Sequence, residues 1–199
     1  ACLDTLTAAS VEGPASLTTD AHCMMDLGIT ERTPRAPALG TLPKIAGLGE
    51  RYLLKQMKDI RDGRRPVALM AGQVDNMTDQ QLADIAAFYD SQERTSGTAD
   101  PELVDLGRKV YLAGIADRKV AACSGCHSPS GKGNGPGGFP GLSGQHADYI
   151  EQQLKMFRLG YEDESGRTNG GDSKIMRTIA FGLSDLEIKA VASYVAGLQ

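Results

Sequence analysis

The chain has 199 residues, with 21 Lys and Arg against 25 Asp and Glu, and a formal net charge of −4. Its basic residues are scattered, which argues against a nucleic-acid-binding surface. No apolar run approaches the roughly 20 residues of a membrane-spanning helix. A hydrophobic fraction of 41% allows a buried core, although there is no Trp and only 5% of residues are aromatic. A bound prosthetic group would supply the buried apolar mass that aromatic side chains usually provide.

Hydrophobic periodicity predicts five amphipathic helices and no strand. In chain order they cover residues 49–62, 78–90, 101–114, 147–159 and 184–197. Asp100 and Pro101 offer an N-cap and a first-turn proline to the third helix. Ser184 and Glu187 have the spacing of a capping box at the start of the last. The pattern indicates an all-α protein.

The chain contains an internal duplication. Residues 42–63 and 139–160 align without a gap at a spacing of 97 residues. The identical positions are Pro43, Gly47, Tyr52, Gln56, Lys58, Arg61 and Gly63 with Pro140, Gly144, Tyr149, Gln153, Lys155, Arg158 and Gly160. Further along, Met70 aligns with Met176 at a spacing of 106, and the nine extra residues fall in a polar, Gly-rich loop. Loops tolerate such insertions, so the repeat indicates two structural units of the same kind.

The duplication predicts two domains separated by a polar linker. The first domain covers residues 1–92, the linker 93–100 and the second domain 101–199. Only the second domain contains a complete motif for attaching a cofactor, Cys123-Ser-Gly-Cys126-His127.

The motif has the spacing of a c-type haem attachment site. Two residues between the cysteines let both thiols reach the two vinyl groups, and the following His127 can direct its imidazole at the iron. A redox-active CxxC pair would favour a thioredoxin-like βαβ setting, which is absent. Half of a zinc site would need a second ligand pair, and none follows with suitable spacing. We therefore expect Cys123 and Cys126 to attach one haem.

The sixth iron ligand has three candidates after the motif: His146, Met156 and Met176. Met156 lies within an amphipathic helix, where core packing is expected, and His146 is expected at the surface. Met176 follows a loop rich in Gly and Asp and precedes the last helix, so it is predicted as the ligand. Coordination by His and Met closes both axial positions and favours electron transfer over ligand binding. The Pro140 carbonyl is expected to accept a hydrogen bond from the ring nitrogen of His127 that does not bind iron.

These segments resemble the class I c-type cytochromes, in particular the tandem cytochrome c4 family. The resemblance covers nearly all of the second half and residues 42–92, and is carried by FPGLSGQHADYIEQQL, IMR and LPKIAGLGERYLLKQMKDI. It implies two tandem all-α cytochrome domains, export to the periplasm with removal of a signal peptide, and soluble or membrane-associated electron carriage. Gly107, Tyr111 and Tyr194 match the helix crossing of such domains.

The first half departs from the pattern of this family. Tandem members carry two haems, but this chain has a single CxxCH motif. At the corresponding place in the first half stands DAHCMM, residues 20–25, in which Cys23 is alone and Met24 replaces the expected His. The first domain is therefore predicted to be a degenerate cytochrome domain without covalent haem.

Two interpretations are weighed for this altered site, besides a third, a noncovalently bound haem. Thiolate, thioether and imidazole groups together suit copper, especially Cu(I). The candidate ligands are Cys2, His22, Cys23, Met24, Met25 and Met70. Alternatively, Cys2 and Cys23 form a disulfide, worth about 3 kcal/mol for a loop of this length, and the methionines pack in the core. Elemental analysis distinguishes the two, since one equivalent of iron without copper would remove the metal site.

The resemblance extends to the cytochrome subunit of flavocytochrome c sulfide dehydrogenase, in which a flavoprotein subunit oxidises sulfide. The predicted function is periplasmic electron transfer through one His/Met haem, as a carrier for a redox protein or as the subunit of such an enzyme. The alternative is an oxidoreductase with haem and copper, in which catalysis occurs at the N-terminal site. No sequence feature decides between a free carrier and a subunit.

Overall fold

The computed structural model describes residues 39–198, and these are almost entirely helical where they are regular. The helices are α1 (Glu50–Arg61), α2 (Asp79–Asp90), α3 (Val104–Ala113), α4 (Ser124–His127), α5 (Ala147–Leu159), α6 (Ile175–Phe181) and α7 (Asp185–Gly197). Short 3-10 turns occur at Leu39–Thr41, Ala68–Met70 and Ala116–Arg118. Over this part of the chain, β-type pairing is limited to two isolated bridges, which confirms the all-α prediction. None of the helices in the described range is long and apolar enough to cross a bilayer.

Five of the seven helices coincide with predicted ones, but α4 and α6 were not predicted, and α3 begins later than predicted. Asp100 does not cap a helix that begins at Pro101. Its Oδ1 accepts a hydrogen bond from the backbone nitrogen of Glu102, 2.9 Å away, and this local turn delays the helix to Val104. Residues 93–99 form neither helix nor strand, while the division into two domains at this segment stays a prediction.

The duplication seen in the sequence is also present in the backbone hydrogen bonds. Gly47 N donates to Tyr89 O at 2.8 Å, and the equivalent Gly144 N donates to Val195 O at 3.1 Å. The helices α2 and α7 begin with equivalent capping boxes, formed by Thr78 with Gln81 and by Ser184 with Glu187. In each repeat, therefore, the equivalent loop is hydrogen-bonded to the equivalent helix, and that helix begins with the same type of cap.

The larger core lies in the second repeat. Helix α7 packs against both α3 and α5. Its Ile188, Val191 and Val195 are buried and meet buried residues of the two partner helices. Those partners are Val110, Tyr111, Ile150 and Leu154.

The first repeat has a smaller core, built from Leu48, Leu53 and Ala86 with half-buried neighbours. In the described part of the chain, no helix covers α2 in the way that α3 covers α7. Phe88 shows the consequence. It aligns with Tyr194, whose ring lies 5.5 Å from that of Tyr111, but Phe88 itself is 59% exposed.

The crossing of α3 and α7 depends on Gly107, as the resemblance implied. A Cβ at this position would lie 2.2 Å from Ala190 O and 2.6 Å from Tyr194 Cβ. Both contacts are with atoms that cannot move without shifting the helix, so only glycine allows this approach.

We expect Gly107→Ala to lower the free energy of unfolding by about 2 kcal/mol, because the added methyl must separate two packed helices. Urea denaturation of the haem-loaded protein, followed by circular dichroism, would measure this. Gly135→Ala is the matched control, since a Cβ at Gly135 has open space around it. Equal stability of both variants would contradict the proposed helix contact.

Candidate haem site

The attachment motif forms a single helical turn. Cys123 is the N-cap of α4, and its carbonyl accepts hydrogen bonds from Cys126 N at 3.2 Å and His127 N at 2.9 Å. Both thiols are free and half-buried. Burial raises the pKa of Cys123 to about 11, against a smaller opposing effect of a backbone hydrogen bond. The two thiols and the imidazole are thus presented from one turn, inside an apolar setting.

His127 is held in one orientation. It is only 6% exposed, and its Nδ1 lies 2.8 Å from the Pro140 carbonyl oxygen, which is the contact expected from the sequence. Because a carbonyl only accepts, Nδ1 carries the proton and Nε2 keeps its lone pair. Burial lowers the pKa of His127, although the Pro140 bond opposes this shift. The residue is therefore a neutral imidazole with one nitrogen suited to metal binding.

The loop that carries Pro140 folds back on His127. Gly133 N donates to His127 O at 2.9 Å, and Asn134 and Phe139 pair through backbone hydrogen bonds in both directions. The Phe139 ring stands edge-to-face with the imidazole at a centroid distance of 6.2 Å. Gly133 has a φ of +82°, and a Cβ there would meet the Gly141 nitrogen at 2.6 Å, so this reversal requires glycine.

Met176 lies in the first turn of α6, a helix that the sequence analysis did not predict. The side chain is half-buried and packs against the core cluster that Cys123 also contacts. The two other ligand candidates are placed by α5. His146 is its N-cap and is half-buried, and Met156 is half-buried within the helix.

Arg177 was missed by sequence analysis. It is only 9% exposed and donates to Gly171 O at 2.6 Å and Gly160 O at 3.4 Å. Its Nε has no hydrogen-bond partner in the described structure. The guanidinium thus links the end of α5, at Gly160, to Gly171 within the Gly-rich loop that precedes Met176.

A polar network joins the two repeats beside this core. Arg65 of the first repeat donates to Gln56 Oε1 at 2.8 Å and reaches across to Tyr149 OH at 3.2 Å. A second cross-repeat contact connects Arg65 to Gln153 Oε1 at 3.5 Å. Sequence analysis found the glutamines and tyrosines as repeat identities, but gave no sign that arginines connect them.

Arg167 makes the reciprocal contacts from the second repeat. It donates to Gln153 Oε1 at 2.7 Å, to Gln56 Oε1 at 2.9 Å and to Tyr52 OH at 3.3 Å. Its guanidinium also lies 4.4 Å from the centroid of Phe157, which belongs to the edge of the same core as Met176. The two arginines thus join the repeats through neutral acceptors.

The phenol of Tyr52 responds to this positive charge. Burial raises its pKa, but the charges of Arg167, Arg65 and Lys55 outweigh burial and hold the pKa below its usual value of 10.0. Tyr52 is therefore a sensitive reporter of the network.

The residues of the second repeat fit a covalently bound haem. Two free thiols and a buried imidazole with an available nitrogen stand on one turn, and a thioether lies at the same apolar cluster.

The first repeat offers fewer groups that could hold a metal or a haem. Met70 is half-buried at the end of a 3-10 turn, whereas Cys2 and His22 to Met25 lie outside the described residues. Within residues 39–198 no three His, Cys, Asp or Glu side chains are grouped to hold a metal.

The comparisons with known proteins agree with the class that fold and site define, a class I c-type cytochrome. A cytochrome c family model matches residues 104–199. Cytochrome c4 from Pseudomonas aeruginosa is 53% identical over 157 residues, covering 79% of this chain and 76% of that protein. The crystal structure of reduced recombinant cytochrome c4 from Pseudomonas stutzeri superposes with a TM-score of 0.77 at 46% identity, covering 82% of this chain and 88% of that one. A thiosulfate dehydrogenase electron acceptor from Thiomonas intermedia is 34% identical, over 80% of this chain and 71% of its own length.

The chain belongs to the cytochrome c4 family. Family membership makes it a periplasmic electron-transfer protein with covalent haem c. The copper site gains no support from these relatives and stays a prediction.

We expect Arg167→Gln to raise the pKa of Tyr52 towards its usual value, because the variant removes the largest of the charges that lower it. NMR titration of protein with labelled tyrosine rings would measure this. Arg64→Gln is the matched control, since Arg64 pairs with Asp59 and Asp62. An unchanged titration of Tyr52 in the Arg167 variant would contradict the described network.

Proposed function

We propose that the chain transfers single electrons through one haem c in its second repeat. Cys123 and Cys126 form the two thioether bonds, and His127 and Met176 are the axial ligands. The observation that supports this assignment is the hydrogen bond from His127 Nδ1 to the Pro140 carbonyl. It leaves Nε2 as the nitrogen that can bind iron, next to two free thiols.

The haem supplies a one-electron couple, and the surrounding residues determine how that couple is used. The Pro140 carbonyl fixes the imidazole and increases its basicity through the shared proton. The Met176 thioether raises the reduction potential relative to a second imidazole. If His127 and Met176 both held the iron, the bound haem would have no free position for oxygen or substrate. The chemistry that remains is outer-sphere electron transfer.

The proposed count of one haem rests on the sequence. Cytochrome c4 proteins typically carry two haems, but this chain has one CxxCH motif and only two cysteines outside it, Cys2 and Cys23. These two do not have the spacing that lets adjacent thiols reach both vinyl groups. We therefore assign the first repeat a supporting role.

The proposed partner is a periplasmic redox enzyme. Similarity to a thiosulfate dehydrogenase electron acceptor supports a donor that oxidises a sulfur compound. A more specific version of this proposal is that the donor is a flavoprotein subunit that oxidises sulfide. Native purification followed by haem and flavin stoichiometry separates them. One flavin per haem supports the flavoprotein donor. Flavin-free protein that is reduced by a thiosulfate-oxidising enzyme supports that enzyme as the donor.

We expect mass spectrometry of natively produced protein to find the peptide containing residues 123–127 with one covalent haem. No other peptide should carry one. Cys123→Ser with Cys126→Ser is the control and should abolish attachment. An unmodified peptide in the wild-type protein would contradict the proposed function, and a second attached haem would contradict the count.

We expect Met176→Ala to lower the reduction potential by about 0.1 V or more, because the thioether that favours ferrous iron is lost. The variant should also bind cyanide rapidly at the open position. Potentiometric titration and absorption spectroscopy would measure both effects. Met156→Ala, a methionine on the neighbouring helix, is the matched control and should change neither. An unchanged potential in the Met176 variant would show that another residue occupies that axial position.

A further inference from the structure

Arg94 lies in the segment between the repeats, and its half-buried guanidinium contacts both of them. On the first repeat, Nε donates to Gly47 O at 2.8 Å, and Nη2 reaches the same carbonyl. On the second repeat, Nη1 donates to Ser143 Oγ at 3.0 Å and to Gly131 O at 3.2 Å. A residue in a linker that served only as a tether would not need these contacts.

The contacts on the second repeat are close to the haem motif. Gly131 O also accepts hydrogen bonds from the backbone nitrogens of Leu142, at 2.7 Å, and Ser143, at 3.0 Å. This turn therefore closes the loop that begins after His127 and contains Pro140. Arg94 binds the loop at the point where its two ends meet.

The guanidinium also lies directly against Gly141, the residue that follows Pro140. A Cβ at Gly141 would lie 1.4 Å from Arg94 Nη2, so the guanidinium keeps this position only while residue 141 is glycine. In the first repeat the aligned residue is Lys44, which shows that the duplication itself does not require glycine here. Glycine at position 141 thus permits the observed placement of Arg94.

The charge of Arg94 is not neutralised by an ion pair. None of the salt bridges among residues 39–198 includes it, and its hydrogen bonds go to backbone carbonyls and to the Ser143 hydroxyl. The carboxylate of Asp90 acts on it electrostatically, but one oxygen of that group accepts from Gly49 N at 2.8 Å. A partly desolvated positive charge therefore acts on the Pro140–Gly141 backbone with limited screening.

We propose that Arg94 is a positioning residue for His127 and that its charge favours the reduced haem. This inference rests on the proposed function. The guanidinium holds the closed loop, the loop holds the Pro140 carbonyl, and that carbonyl orients the imidazole. Reduction adds one electron, supplied by the redox partner, and removes one positive charge from the haem. A fixed cation nearby is repelled less by the reduced form, so it shifts the equilibrium towards that form.

Two variants separate the charge of Arg94 from its hydrogen bonds. Arg94→Gln removes the charge, while Arg94→Lys keeps it but loses the planar, multiply donating group. Arg51→Gln is the matched control. Arg51 is an exposed arginine of the first repeat that donates to Pro136 O at 2.6 Å, on the same loop but away from its closure.

The measurements use haem-loaded protein, with haem content checked first. In Arg94→Gln we expect the ratio of reduced to oxidised haem at a fixed ambient potential to fall severalfold. The hyperfine-shifted NMR signals of the His127 ring should move. Arg94→Lys should have a reduction potential close to that of the wild-type protein, but the NMR signals of its His127 ring should still move. Arg51→Gln should change neither the reduction potential nor the His127 signals. If Arg94→Gln does not fold, the His127 signals of Arg94→Lys test the positioning role.

Several outcomes would overturn the inference. An Arg94→Gln protein with unchanged potential and unchanged His127 signals, but lower thermal stability, would make Arg94 a structural residue only. An equal shift of potential in Arg51→Gln would show a general effect of surface charge. Unmoved His127 signals in Arg94→Lys would remove the positioning role. Wild-type protein without haem at Cys123 and Cys126 would instead contradict the proposed function, which the haem assay shows separately.

Discussion

The hydrogen bond between His127 Nδ1 and the Pro140 carbonyl is the constraint to which the neighbouring backbone is fitted. A free imidazole can present either nitrogen to a metal, and its ring can rotate. Binding one nitrogen to a backbone carbonyl selects the tautomer and the ring plane before any metal is bound. For this the chain must reverse direction between the two residues, and Gly133, with positive φ and no room for a Cβ, makes the reversal possible.

The duplication also determines the contact between the repeats, because identical residues from both repeats meet at one interface. Tyr52 and Gln56 in one repeat, and their counterparts in the other, surround two arginines that belong to opposite repeats. Neutral amide and hydroxyl groups accept these hydrogen bonds, and neither Arg65 nor Arg167 forms an ion pair among residues 39–198. The charge of Arg167 lies beside the core that holds Met176, where it would add to the effect proposed for Arg94.

Sequence analysis recovered what is periodic or local. Helical faces and the capping box at Ser184 follow from spacing, whereas the Pro140 contact was expected because an iron-binding imidazole needs a partner for its other nitrogen; the structure contains each of them. Helix α6 has only seven residues and follows Lys174 in a left-handed conformation, so it gives no periodic signal, and a helix this short is stable only through packing. Arg94, Arg167 and Arg177 were missed because their acceptors are mostly backbone carbonyls and distant side chains, which no spacing in the sequence identifies.

The first repeat lacks the attachment motif, yet it is not independent of the second. Gln145 is 4% exposed, and its amide exchanges two hydrogen bonds with the backbone of Lys44, at 2.8 and 2.7 Å. Lys44 Nζ in turn donates to Gly144 O at 2.7 Å. Without the first repeat, these polar groups beside the haem loop would lose their partners and face water instead. A repeat without its own haem motif therefore still contributes to the site in the other repeat, because it supplies hydrogen bonds that hold the backbone next to the haem loop.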